Sequence, residues 1–242
     1  LKKINATGKQ VLIIPDMHIP FEHPDTYKFL SAIKKKFLTD DTLIINLGDE
    51  IDGNQISMHD KDPNIMFSPA SEFQAAIETI KKYYKLFPKM ELCESNHGSL
   101  VYRRASKFGL PMHVMKSYQD ILNTPNWNWH PDILLKTKMG EVYICHGKTS
   151  SYGKLCKEQG ASAIQGHFHG KFEVTWHKTS TSERFNLFSG CLIDHEHLAF
   201  SYGKNHLPKP ILGATILSPI GYPRLVKMNL TSNGRWDGKL EQ

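Results

Sequence analysis

The sequence predicts an α/β sandwich of two β-sheets with helices outside, built as one domain over residues 1–242. Three observations predict it. Short apolar runs alternate with amphipathic stretches through the first half of the chain. The second half reads mainly as strand. Polar, chemistry-bearing clusters recur at the carboxyl ends of the apolar runs, where open α/β sheets collect their ligands.

Taken in order, Val11-Leu12-Ile13-Ile14 reads as a buried strand. Residues 25–38 place Tyr27, Leu30, Ile33, Lys34 and Phe37 at near-helical spacing, and Thr42 to Leu47 form a second strand. Residues 54–68 are polar and irregular. A helix over 70–87 ends before Pro88, and Met90 to Cys93 are a third strand. Residues 99–122 are helical with a break near Gly109-Leu110-Pro111. A hairpin over 133–145 turns at Met139-Gly140. A short helix at 150–159 leads to a strand at Ala161 to Ile164. Further strands are expected at 171–178, 184–192, 211–217 and 223–230, with a polar loop over 193–210.

Composition narrows the classes. Hydrophobic residues make up 40% of the 242, enough for a real core. The four cysteines form no C-x-x-C pair, and Cys93 and Cys145 lie in apolar runs, which points to a reducing compartment. No apolar run reaches the length of a membrane span and no signal-peptide pattern opens the chain, so a cytoplasmic protein is expected. A formal charge of +6 is compatible with anionic partners and equally with solubility alone.

Five clusters close five strands: Asp16-Met17-His18, Gly48-Asp49-Glu50-Ile51-Asp52, Asn96-His97, His146-Gly147 and Gly166-His167-Phe168-His169. Singly, the first clusters also fit ordinary loops and turns, since Gly supplies positive φ and Asp bonds its own backbone, whereas the paired imidazoles of Gly166-His167-Phe168-His169 are a plausible metal-ligand set in themselves. All five in order, each at a strand end, converge on one edge. Asp, Asn and His together form a donor set for divalent transition metals rather than calcium.

The ordered set D-x-H, G-D-x-x-D, N-H, a single His and G-H-x-H resembles the calcineurin-like metallophosphoesterase family across residues 16–169. The resemblance implies the two-sheet αββα sandwich of that family and two metal ions, drawn from manganese, iron, zinc, cobalt or magnesium. It implies that Asp16, His18 and His169 hold one ion, that Asn96, His146 and His167 hold the other, and that Asp49 bridges both. Such a pair, held ~4 Å apart, activates water and offsets phosphate charge. His97 would face the substrate. The family pattern carries an acid after this His, whereas Gly98 stands here, and Asp52 is the candidate to orient His97 instead. Asp52 is followed by Gly53-Asn54 where the serine/threonine phosphatase branch carries Arg, so that branch is not expected.

Arg103 and Arg104 are candidates to hold phosphate, against the plain reading of a solvated helix face. Asn54, His195, His197 and Tyr202 are candidate substrate contacts. The cluster Asp194-His195-Glu196-His197 is otherwise a polar loop. Tyr152 and Phe168 could stack on a base, whereas Trp127 and Trp129 are read as packing residues. The short core resembles phage and bacterial family members that act on nucleotides. The expected reaction is therefore release of phosphate from (deoxy)nucleoside 5′-monophosphates by activated water, with a small nucleotide as partner. A metal-dependent nuclease or cyclic-nucleotide phosphodiesterase is the alternative, although no large basic groove for extended nucleic acid stands out. A non-catalytic metal-binding scaffold is the second alternative.

Overall fold

The computed structural model describes residues 1–57, 61–197, 199–200 and 208–240. In chain order it runs β1 (Lys2–Asn5), β2 (Val11–Ile14), α1 (Thr26–Phe37), β3 (Leu43–Asn46), α2 (Pro69–Leu86), β4 (Met90–Cys93), α3 (Leu100–Lys107), α4 (Tyr118–Leu122) and β5 (Trp127–His130). It continues with β6 (Ile133–Thr137), β7 (Gly140–Cys145), α5 (Lys154–Gln159), β8 (Ser162–Gln165), β9 (Phe172–Lys178), β10 (Glu183–Ser189), β11 (Gly213–Leu217) and β12 (Pro223–Lys227).

These strands form two mixed six-stranded sheets, ordered β1-β6-β7-β8-β10-β9 and β12-β11-β2-β3-β4-β5. The predicted two-sheet α/β architecture is the observed one. Strand β2 shows how the layers arise. Val11 and Ile13 pack between the sheets with Ile45, Leu47, Ile144 and Phe185. Leu12 and Ile14 pack on the opposite face against Phe29, Leu30 and Ile33 of α1 and Ile80 and Tyr83 of α2. A strand covered on both faces has no polar side, so its run is continuously apolar. Beyond the other sheet, Leu155 and Cys156 of α5 cover Tyr143, Cys145 and Ala163. The order of layers is helix, sheet, sheet, helix.

Within the second sheet β2, β3, β4 and β5 are parallel, and in the first sheet β7 and β8 are parallel. Parallel strands share one carboxyl edge, so the loops after β2, β3 and β4 emerge together, as do those after β7 and β8.

Two strands were not anticipated. β1 has three exposed residues of four, two of them lysines, and pairs only at a sheet edge, beside β6. β5 is half polar, with Asn128 and His130 alternating with two tryptophans. The helix expected over 70–87 begins one residue earlier, at Pro69. Ser68 caps it by accepting from the Ser71 amide, and Ser71 Oγ accepts from the Ser68 amide in return. All four cysteines are buried and free. Among the described residues, no helix is long and apolar enough to cross a membrane.

Candidate metal centre

Asp16 and His18 follow β2, Asp49 follows β3, Asn96 and His97 follow β4, His146 follows β7, and His167 and His169 follow β8. The two sheets bring these loops to one place. Asp16, His18, Asp49 and His169 form one group whose donor atoms all lie within 4.8 Å of one another, and Asp49, His146 and His167 form a second. Asp49 belongs to both. Its Oδ2 is 3.3 Å from His18 Nε2 and 3.2 Å from His146 Nε2. Asn96 Oδ1 joins the second group, 2.7 Å from His146 Nε2. His169 Nε2 lies 3.1 Å from Asp16 Oδ2 and 3.3 Å from His18 Nε2.

The backbone is distorted to make this cluster. His18, Asp49 and His167 adopt φ of 51°, 48° and 64°; the other non-glycine residue in that region among those described is Asn123. Each such residue costs roughly 1–3 kcal/mol and persists where surrounding bonds impose it. Here the Asp49 carbonyl accepts from the Met17 and His18 amides, the Asp49 amide donates to Ser95 Oγ, and the His167 amide donates to Asp16 Oδ2. Close packing also excludes side chains at Gly48, where a Cβ would fall 2.6 Å from Ser95 Cβ, and at Gly166, where it would collide with Asp16 Oδ1.

The donor chemistry fits a cation. His146 Nδ1 donates to the Leu47 carbonyl at 3.0 Å, so the neutral ring presents the Nε2 lone pair to Asp49 Oδ2, Asn96 Oδ1 and His167 Nδ1. Lone pairs converging on lone pairs need protons or positive charge between them. Asp16 Oδ1 is buried with no hydrogen-bond partner. In the metal-free chain protons fill this role. Burial alone would lower the His146 pKa, but the Asp49 and Asp16 carboxylates outweigh it and raise it to about 9. His18 is raised likewise, its burial overcome by Asp49 and Asp52. Burial would raise the Asp49 pKa, but His146 and His18 hold it well below the usual carboxylate range. His167 differs: burial and the neighbouring His146 lower its pKa. It is also the exposed member of the cluster.

Asp52 lies beside His97, whose Nδ1 is 2.9 Å from Asp52 Oδ1 and 2.7 Å from the Asp52 carbonyl. Gly98 has a physical reason. A Cβ there would sit 2.9 Å from Ser95 Oγ and 3.1 Å from Oε1 of Glu50, a buried carboxyl whose pKa burial pushes up to about 7. An acid at position 98 has no room beside it.

The candidate substrate residues divide. Arg103 Nη2 donates to the Asn96 carbonyl from an exposed guanidinium. Arg104 spends Nε and Nη2 on the carbonyls of Ile56 and Ser57. Asn54 is buried, its side-chain amide on the Ala199 carbonyl. His195 pairs with Glu196 at 3.0 Å. His197 stacks on Phe21 and accepts from the Ala199 amide. Tyr152 packs under Lys171, 4.1 Å from Nζ to ring centroid, and Phe168 lies edge-on to His167. Tyr202 and much of the 193–210 loop lie outside the described residues, but the loop begins close by, with Phe200 edge-on to His18 at 5.6 Å.

Sequence reasoning passed over Ser95, whose Oγ accepts from the amides of both Asp49 and Gly98. It also passed over Glu50, which Trp129 Nε1 reaches at 3.1 Å. For Ser95 a signal existed: it stands directly before the Asn-His pair.

No protein-family model matches the chain, and no curated protein does. Among solved structures the chain is similar to the NAD nucleotidase NadN of Haemophilus influenzae, at 12% identity and a TM-score of 0.39, over 94% of this chain and 53% of that one. The chain thus spans about half the length of that nucleotidase. It is also similar to a Saccharomyces cerevisiae protein serine/threonine phosphatase resembling human PP5, at 10% identity and a TM-score of 0.41, over 99% of this chain and 81% of that one.

Proposed function

We propose that the chain is a phosphoesterase working with two divalent metal ions and releasing phosphate from nucleoside 5′-monophosphates. The observation that carries the reading is the position of Asp49 Oδ2 between His18 Nε2 and His146 Nε2, which makes one carboxylate common to two donor groups. In this reading Asp16, His18 and His169 would hold one ion, Asn96, His146 and His167 would hold the other, and Asp49 would serve both. When bound, such ions act as Lewis acids on phosphate oxygens and lower the pKa of water near neutrality.

The chain's own residues supply the rest. His97 donates its Nδ1 proton to Asp52, which keeps the ring oriented and leaves Nε2 to protonate the departing oxygen. Burial and His18 lower the His97 pKa, but the Asp52 hydrogen bond and the charges of Asp49 and Asp52 raise it overall in the metal-free chain. Ser95 fixes the Asp49 loop against the Asn96 loop through two amides. Arg103, beside Asn96, has further donors for a phosphate dianion.

Turnover of p-nitrophenyl phosphate and bis-p-nitrophenyl phosphate with added manganese tests the reading. Faster monoester hydrolysis supports it. Faster diester hydrolysis overturns the monoester assignment in favour of a phosphodiesterase or nuclease. Bound metal with no turnover of either leaves a scaffold.

A further inference from the structure

A cavity of about 870 Å³ is lined among others by Tyr102, Arg103, Met112, Lys116, Tyr118 and Trp129. Its size falls in the range of small-molecule sites, roughly 300–1,000 Å³. Aromatic rings build its wall. Tyr118 of α4 stacks on Trp129 of β5 with centroids 5.1 Å apart and planes 20° apart, and Tyr102 of α3 meets Tyr118 edge-on at 4.6 Å.

Polar bonds hold two of these rings. Tyr102 Oη donates to the Lys116 carbonyl at 2.7 Å, and Trp129 Nε1 donates to Glu50 at 3.1 Å. A shelf already ordered loses little freedom when a ligand stacks on it. Two links tie the cavity to the candidate metal centre. Trp129 bonds the neighbour of Asp49, and Arg103 bonds the carbonyl of Asn96. Ser99, another lining residue, lies two positions after His97. Arg103 and Lys116 stand at the cavity against the one carboxylate of Glu94, a net positive charge that suits a ligand carrying phosphate.

We infer that this cavity takes the base of the nucleotide whose phosphate the Asp49 cluster handles, stacked against the Tyr118–Trp129 pair. The inference rests on the hydrolase reading above and adds the place where the base is held. Every base has a π-face, so a stacking shelf accepts purines and pyrimidines alike.

Calorimetric titration of adenosine into the full chain, stripped of metal by a chelator, tests the cavity without requiring turnover. Saturable binding is expected. Tyr118→Ala should weaken it at least tenfold, and Tyr118→Phe, which keeps the ring, should restore it. Ser106→Leu places bulk in the cavity from an exposed position and should also weaken adenosine binding. Ribose 5-phosphate, which has no base, should bind equally to the Tyr118→Ala and unaltered chains. Absence of adenosine binding at millimolar concentration, or binding indifferent to both Tyr118→Ala and Ser106→Leu, overturns the inference. Hydrolysis of AMP with no adenosine binding removes the cavity assignment and leaves the hydrolase reading intact. Adenosine binding without phosphatase activity toward any nucleotide does the reverse.

Discussion

His97 Nδ1 lies 2.9 Å from the Asp52 carboxylate and 2.7 Å from the Asp52 carbonyl, so one histidine N–H is shared between two oxygens of a single residue. Asp52 is fully buried and also stands 3.5 Å from His18 Nδ1. The histidine that would face substrate is thereby oriented from the loop after β3, not from position 98.

That arrangement predicts a leaving-group signature. His97→Ala should slow hydrolysis of an alkyl phosphate by roughly 10²–10⁴, with a smaller loss for p-nitrophenyl phosphate, whose leaving group departs without a proton. Asp52→Asn should lose a similar factor, and the double variant should lose little more, because the two act as one unit. Equal losses for both leaving groups would refute the acid role.

Metal affinity should depend on pH in one direction. The cation must displace protons from His146, with its pKa near 9, and from His18, so affinity rises with pH by up to about tenfold per unit for each proton released. In the metal-free chain the sign reverses. His146 has a folded pKa above its ordinary 6.5, so its contribution to stability is full below 6.5 and disappears as pH rises through about 9. Titrations with manganese at several pH values, in buffers of different ionisation enthalpy, read the protons released. Affinity independent of pH would contradict the proton-filled cluster.

A second pH effect lies in the fold itself. Asp25 occupies the N-cap position of α1, yet its carboxylate accepts from Arg235 and from the Trp236 amide. These bonds tie the segment after β12 to α1. They hold the Asp25 carboxyl well below its ordinary 3.8, the Arg235 hydrogen bond outweighing burial. A depressed folded pKa stabilises the chain above 3.8 and is lost as pH falls below it. Asp25→Asn should therefore unfold at lower denaturant than the unaltered chain at pH 7, with the gap closing in acid. A gap unchanged by acid would contradict the pairing.

Much of this was legible in sequence for a simple reason. β2 is continuously apolar because it is buried, β3, β4, β7 and β8 carry shorter apolar runs, and each ends where its polar loop begins, so strand ends and candidate ligands are read together. β1 was not legible because an exposed edge strand need not be apolar. The Tyr118–Trp129 shelf was not legible because its two rings come from a helix and a strand with no shared period, and Trp129 alone looks like core. Arg104 shows the converse: its spacing from His97 suggested phosphate, but the carbonyls of Ile56 and Ser57 lie closer to hand.

Substrate size should be discriminated. Nucleoside 5′-monophosphates are expected to exceed a dinucleotide by at least tenfold in kcat/KM. That difference corresponds to about 1.4 kcal/mol, within the reach of one charge-assisted hydrogen bond from Arg103 to a phosphate dianion. Within the 193–210 loop, Phe200 lies edge-on to His18 and the Ala199 carbonyl accepts from Asn54, so these two residues pack beside the cluster. Faster cleavage of oligonucleotides than of monophosphates would transfer the assignment to a nuclease.

The central claim is that Asp49 is shared by two metal ions, and metal content measured on purified Asp49→Asn beside the unaltered chain tests it most directly. The unaltered chain should bind two equivalents of manganese, while Asp49→Asn should bind fewer than two and lose phosphatase activity by several orders of magnitude. Two full equivalents in Asp49→Asn, with a rate close to that of the unaltered chain, would contradict the claim.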